Sequence, residues 1–243
     1  METDKKYKLT DECITIGDKK LYRIESLKDF AFIKKGDKGG FVESEENLSQ
    51  VGSCWIYNDT KVCGNAWVYG DAKVFGDAEI YDNVRVFGDA EIYDNVRVYG
   101  NAWVFGDAKV YGNAQVFKNA RVYGNAMVYG NAMVYGNACV FGDAEIYDNV
   151  RVYGNAEVFG NVHIKGDADI SSISDYIFFK NWWSSGRCFT WTRSNNMWSV
   201  GCFYGTGEEL IAKAYKDSEI SGREYKRVVK YVETTIINDG KDQ

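Results

Sequence analysis

The sequence has no apolar run long enough to span a bilayer, only one histidine, and no cysteine spacing of the metal-binding kind. Each absence excludes a class of protein. Without about 20 consecutive apolar residues there is no transmembrane helix. The charged, polar stretch Met1–Lys8 has no apolar segment behind it and so lacks a secretory signal pattern; a cytoplasmic location is expected. The six cysteines (Cys13, Cys54, Cys63, Cys139, Cys188, Cys202) are scattered, which predicts neither a disulfide framework nor a zinc site. In a reduced compartment they would serve as small apolar fillers. A net charge of -6 argues against a general binder of nucleic acid or anionic membrane, because neutralising phosphates requires a basic surface. Nucleophile elbow, phosphate loop and paired-carboxylate motifs are also absent, and no cofactor is expected.

What is present is a repeat. From Ile56 to Lys165, nineteen consecutive hexads open with Val or Ile and carry Ala, Val or Thr at the fifth position. Val68-Tyr69-Gly70-Asp71-Ala72-Lys73 shows the unit: branched apolar, aromatic, Gly or Asp, Asn or Asp, small, variable. An unbroken period of this kind is the signature of a solenoid. The fifth residue lies two before the next Val, so both point to one side of a short strand and fill the interior. The variable residue and the aromatic point outward. The Gly-Asn or Gly-Asp pair turns the corner.

Charge at the variable position sets the coil length. At an offset of 12, like charges meet at Lys61/Lys73, Lys73/Arg85, Glu79/Glu91, Arg85/Arg97 and Glu145/Glu157, and neighbours about 4.8 Å apart repel. At an offset of 18 these clashes vanish. Lys61/Glu79/Arg97, Lys73/Glu91/Lys109 and Arg151/Asp169 become attractive ladders. Three hexads per coil therefore give a mainly β, three-sided β-helix with 18 residues per coil, about 30 Å long at the inter-strand spacing. One column then reads Trp67, Arg85, Trp103, Arg121, in which guanidinium groups can lie over indole faces.

The flanks are not periodic. Residues 1–50 read as an N-terminal β cap with short strands at Tyr7–Leu9, Cys13–Ile16 and Lys20–Ile24, because a solenoid needs its open core and strand edges covered. The β-helix occupies 51–173, and 174–243 form a small α+β domain. Strands are expected at Tyr176–Phe179, Cys188–Thr192 and Met197–Phe203, with a hairpin through Arg193-Ser194-Asn195-Asn196. Capping boxes at Thr206–Glu209 and Ser221–Glu224 predict two helices, ending near Tyr215 and Glu233. Trp182, Trp183, Trp191 and Trp198 fall within seventeen residues. They either build that domain's core and pack onto the last coil or form a hot spot for a partner.

The hexads resemble the hexapeptide-repeat, left-handed β-helix superfamily, whose unit has an aliphatic residue and a small residue four places later. The resemblance covers about half the chain. The aromatic second residue, found in 17 of 19 hexads, departs from that pattern. The segment Gly36-Asp37-Lys38-Gly39-Gly40-Phe41-Val42-Glu43, followed by Trp55-Ile56-Tyr57, is similar to the approach to the β-helix in poorly characterised phage and prophage proteins. That similarity implies a phage origin and the cytoplasm of a bacterial host. The superfamily resemblance implies acyl transfer with a histidine base, or carbonic-anhydrase-like chemistry on histidine-bound zinc. One histidine cannot supply three zinc ligands. His163 lies at a variable, outward position, and a base would also need an orienting partner and a pocket. No loop interrupts the hexads to build one.

The corners carry more information. One edge is Asn throughout, from Asn65, Asn83 and Asn101 to Asn119, Asn137 and Asn155, and an asparagine ladder stabilises stacked turns. Another edge carries Asp71, Asp89, Asp107 and Asp143, interrupted by Asn125. Either each aspartate accepts backbone N–H groups at its turn, or the edge is an acidic stripe facing a basic partner. Aromatic columns such as Tyr69, Phe87, Phe105, Tyr123, Phe141 and Phe159 either stabilise the coil by stacking or mark an interface, with self-association as a dimer or trimer. The expected function is a non-catalytic protein-binding module, for example an inhibitor of a basic, nucleic-acid-handling host defence protein. A hexapeptide-type acyltransferase and a virion structural protein are the alternatives.

Overall fold

A computed structural model describes residues 5–183 and 186–236. Each hexad contributes one two-residue strand, made of its variable residue and the following Val or Ile, as in Lys61–Val62, Glu79–Ile80 and Arg97–Val98. Strands 18 residues apart pair in parallel, so Lys61 lies beside Glu79 and Glu79 beside Arg97. Three parallel sheets result, wound in about seven coils of a β-solenoid. Between coils the backbone closes with regular bonds: Arg85 N–H donates to Ala102 O at 3.1 Å and Phe87 N–H to Val104 O at 3.1 Å.

The interior follows the sequence pattern. The Val and Ile at the head of each hexad and the small fifth residues are fully buried, from Ile56 to Ile170. The third residue of every hexad has positive φ. Glycine meets that demand at most corners; Asn58, Asp82, Asp94, Lys118 and Asp148 adopt it with a side chain. Gly88 shows why glycine is preferred. At φ +72 its missing Cβ would stand 2.9 Å from the Gly106 backbone nitrogen one coil away. The expected ion ladders form: Lys61–Glu79 at 3.8 Å, Arg97–Glu79 at 3.4 Å, Lys73–Glu91 at 3.6 Å, Lys109–Glu91 at 3.0 Å and Arg151–Asp169 at 2.7 Å.

The front end is closed by an antiparallel hairpin, Tyr7–Ile16 with Lys19–Ser26, that extends one solenoid sheet. The three short strands expected there are therefore two long ones, the first carrying an irregularity between Leu9 and Cys13. Lys38–Val42 bridges hairpin and solenoid, antiparallel to Lys19–Ser26 and parallel to Lys61–Val62. Gly39 permits that approach, since a Cβ would meet Ile24 and the Ile56 carbonyl at 2.6 Å. Tyr7, Ile24, Leu48 and Trp55 plug the open core.

Lys6 is 1% exposed in this plug. Its Nζ donates to Cys54 O at 2.8 Å, Gly52 O at 3.3 Å and Cys54 Sγ at 3.2 Å, and it lies over the Phe30 ring. Burial lowers its pKa. Cys54 is thus an acceptor as well as a filler. The reading of all six thiols as apolar filler needs correction too: only Cys54 and Cys63 are buried, whereas Cys13 and Cys202 are exposed.

At the far end, Tyr176–Lys180, Cys188–Thr192, Met197–Val200 and Phe203–Gly205 form a four-stranded antiparallel sheet. Helices α1 (Gly207–Asp217) and α2 (Glu219–Tyr231) follow. The Thr206–Glu209 capping box is present. The second box is not. Ser218, extended at φ -169, ends α1 and caps α2 through the Ser221 N–H at 3.0 Å, leaving Ser221 buried inside the first turn. The adjacent Gly222 packs against the Tyr215 ring of α1, which fixes α2 three residues earlier than the sequence suggests. No helix among the described residues is long and apolar enough to cross a membrane.

Candidate interaction surface

The column Trp67, Arg85, Trp103, Arg121 is in register on one sheet. Arg85 and Arg121 flank Trp103, with guanidinium carbons 5.5 and 5.2 Å from its ring centroid. Trp67 does not share the arrangement; it stacks on Tyr69 at 4.1 Å. One indole is therefore bracketed by cations, not two.

The aromatic column Tyr69–Phe87–Phe105–Tyr123–Phe141–Phe159 stacks at 4.8–5.2 Å with nearly parallel rings. The rings are half-buried by one another. Much of their apolar area is spent along the column, so the surface offered outward is a row of ring edges. Burial raises the pKa of Tyr123.

The aspartate edge divides in two. Asp71 accepts the Ser53 N–H at 3.1 Å and the Ser53 hydroxyl, which hold its pKa below the usual carboxylate range. Asp143 accepts from Asn125 Nδ2 at 2.8 Å. Asp89 and Asp107 are exposed and have no side-chain hydrogen bond or ion pair among the described residues. The reading in which every aspartate accepts a backbone N–H at its own turn therefore fails among the described residues: only Asp71 accepts a backbone N–H, and its donor, Ser53, lies 18 residues earlier. Three carboxylates unmarked by the sequence reading do that work instead. Asp82, Asp94 and Asp148, at the third position, accept from Gly100 N, Gly112 N and Gly166 N at 3.0, 3.2 and 3.0 Å. Each reaches the next coil, a partner 18 residues away.

The asparagine edge is a continuous ladder, with Asn65, Asn83, Asn101, Asn119 and Asn137 each donating to the next at 2.9–3.1 Å. A second ladder, Asn95–Asn113–Asn131–Asn149–Asp167, runs down another edge. The same 18-residue offset would have revealed it.

The tryptophans of the terminal domain separate by environment. Trp191 and Trp198 are buried and Trp183 is half-buried against the same core, while Trp182 is 73% exposed. Trp183, Trp191 and Trp198 build the domain's own core, and Trp182 stands outside it. The domain meets the last coil through further groups. Tyr176 OH donates to Glu157 O at 3.1 Å, His163 N–H to Thr190 Oγ1 at 3.3 Å, Asp169 N–H to Ser194 Oγ at 2.8 Å, and Phe178 and Tyr204 lie against Gly160 and Gly166.

His163 is half-buried, with Nδ1 3.1 Å from Glu145 Oε2 one coil earlier, which supplies an orienting carboxylate. A cleft of about 370 Å³ lies elsewhere, between the hairpin turn and the first coils, lined by Ile16, Lys19, Lys61, Cys63, Glu79 and Arg97. Sequence reasoning missed it because the hairpin folds back from outside the repeat. Among the described residues no group of three or more His, Cys, Asp or Glu side chains is placed to hold a metal ion.

No curated protein matches the chain. A family model described as the YdcK β-solenoid repeat matches residues 90–106 and 120–134, so the chain is a β-solenoid protein similar to that family over these central coils.

Proposed function

We propose that this chain is a non-catalytic protein-binding module whose acidic, aromatic-flanked solenoid edge takes a basic protein partner. One observation carries the reading: Asp89 and Asp107 stand exposed and, among the described residues, without a side-chain partner, on an edge beside the Phe87–Phe105 stack. Elsewhere on the solenoid most carboxylates are paired or hydrogen-bonded. Fixed, unneutralised charge of one sign steers an oppositely charged partner and costs little to organise on binding. The similarity of Gly36–Glu43 and Trp55–Tyr57 to phage and prophage proteins makes a host nucleic-acid-handling defence protein the partner class. The hexapeptide-repeat resemblance supplies the left-handed scaffold.

Affinity capture with wild type and with Asp89→Asn/Asp107→Asn tests this. A basic nucleic-acid-binding protein held by wild type and lost from the variant supports it; equal capture by both overturns it. A second reading, acyl transfer to an amine or hydroxyl, draws on the His163–Glu145 pair, which has the geometry of an oriented base. It requires binding of an acyl-coenzyme A and loss of turnover in His163→Ala.

A further inference from the structure

The charge of this protein is unevenly distributed. Residues 51–173 hold fifteen acidic and nine basic side chains, residues 174–243 nine acidic and ten basic. The cations of the terminal domain gather on α2. Arg223, Lys226, Arg227 and Lys230 are all exposed and, at 3.6 residues per turn, fall within an arc of about 100°. The opposite arc, Ser221, Tyr225 and Val229, is buried, so the helix cannot rotate the cations away. Among the described residues, only Arg227 of the four has an ion-pair partner, Glu224. Ile220 and Tyr231, 58% and 55% exposed, border the stripe on one side.

A surface of complementary form exists on the same chain. Along α2, Arg223, Arg227 and Lys230 are spaced by about 6 and 4.5 Å. Along the solenoid edge, Asp71, Asp89 and Asp107 are spaced by about 4.8 Å per coil. The two rows span about 10.5 and 9.6 Å, so three cations can meet three carboxylates in one register. The apolar borders correspond as well. The half-buried Phe87 and Phe105 run beside the aspartates as Ile220 and Tyr231 run beside the cations.

We infer that the basic face of α2 docks along the Asp71–Asp89–Asp107 edge of a second copy of this chain. The contact joins two different patches, so it is head-to-tail, and repetition gives a ring or an open filament. Exposed ion pairs are individually weak and screened by salt, so the association belongs to high protein concentration and low ionic strength. It uses the same edge as the function proposed above but does not rest on it.

Sedimentation velocity on the full chain tests this, with charge reversal on each side: Arg223→Glu/Arg227→Glu on α2 and Asp89→Lys/Asp107→Lys on the edge. Wild type is expected to associate at about 50 mM salt and to dissociate at about 500 mM, where the screening length falls to a few ångströms. Each reversed variant alone is expected to be monomeric. Their equimolar mixture associates again, because the acidic helix of one meets the basic edge of the other. Arg→Gln and Asp→Asn versions, checked by circular dichroism, replace any reversal that disturbs folding; both weaken association if the proposal holds. A wild type that stays monomeric at low salt overturns it, as does a mixture no more associated than its parts. So does an α2 reversal that abolishes duplex nucleic-acid binding while leaving association unchanged. The α2 variant keeps the acidic edge, so capture of a basic partner survives it, and the two proposals can fail separately.

Discussion

The solenoid and the terminal domain solve the problem of burying apolar surface in opposite ways. In the solenoid the core is Val, Ile and Ala repeated by translation, and each coil rests only on its neighbours. In the terminal domain one irregular cluster of Phe189, Trp191, Trp198, Leu210, Tyr225 and Val229 is assembled once from four strands and two helices. Many small contributions hold the first; a few large side chains hold the second.

That contrast can be broken most sharply at the second core. Trp198→Ala removes a fully buried indole and should cost about 3–5 kcal/mol. The terminal domain should then melt early while the solenoid keeps its own transition, seen as two steps when tryptophan fluorescence and far-ultraviolet circular dichroism are followed together. A single shared transition would show that the two cores are coupled. The complementary change is Gly88→Val, which forces a branched residue into positive φ against the Gly106 backbone. It should cost about 2–3 kcal/mol, with the loss confined to the solenoid transition.

Smaller changes sharpen the comparison. Asn101→Ala deletes one rung of the asparagine ladder, both its bond to Asn119 and the one from Asn83, and should lower solenoid stability by about 1 kcal/mol in urea titrations. Lys118→Gly should raise it. The lysine sits at φ +60, a conformation costing roughly 1–2 kcal/mol for a residue with a Cβ. Glycine's greater freedom when unfolded and the lost contact with Tyr135 reduce the net gain to about 0.5 kcal/mol. The smallest effect is that of acid. Ser53 lowers the pKa of Asp71, and Lys19 together with the Gly64 N–H lowers that of Glu43. Their folded values lie below the unfolded ones. The stability they add is therefore present above the unfolded range of about 3.9–4.3 and disappears as pH falls through the folded values. Both groups lie at the front coils, so amide exchange at low pH should rise there first.

Legibility in the sequence followed the same division. Within the hexads, partners lie at a constant offset, so the coil length, the buried set, the ion ladders and one asparagine ladder could be deduced by adding 18. The bracketing of Trp103 by Arg85 and Arg121 was legible, whereas the turning of Trp67 toward Tyr69 was not, because the rung in front of it, at Asn47–Leu48, lies outside the repeat. The aspartate edge was visible as a row. Which members were already held, Asp71 by Ser53 and Asp143 by Asn125, depended on neighbours that vary from coil to coil. In the terminal domain the first two strands and the first helix were readable from local signals, whereas the single strand expected at Met197–Phe203 is two, Met197–Val200 and Phe203–Gly205, turned at Gly201 with φ +54. The start of α2 was misread because Ser221 and Ser218 both fit a cap locally, and packing of Gly222 on Tyr215 decided between them.

The sequence by itself determined the solenoid: a six-residue alternation fixes which side chains face inward, and the signs of charge fix three hexads per coil. Only the tertiary structure decided how its ends are closed. The burial of Lys6 against Cys54, the cleft beneath the hairpin and the contacts of Thr190, Ser194 and Tyr204 on the last coil join segments with no shared period. Local pattern cannot index such contacts, because their geometry depends on how far the chain travels before it returns.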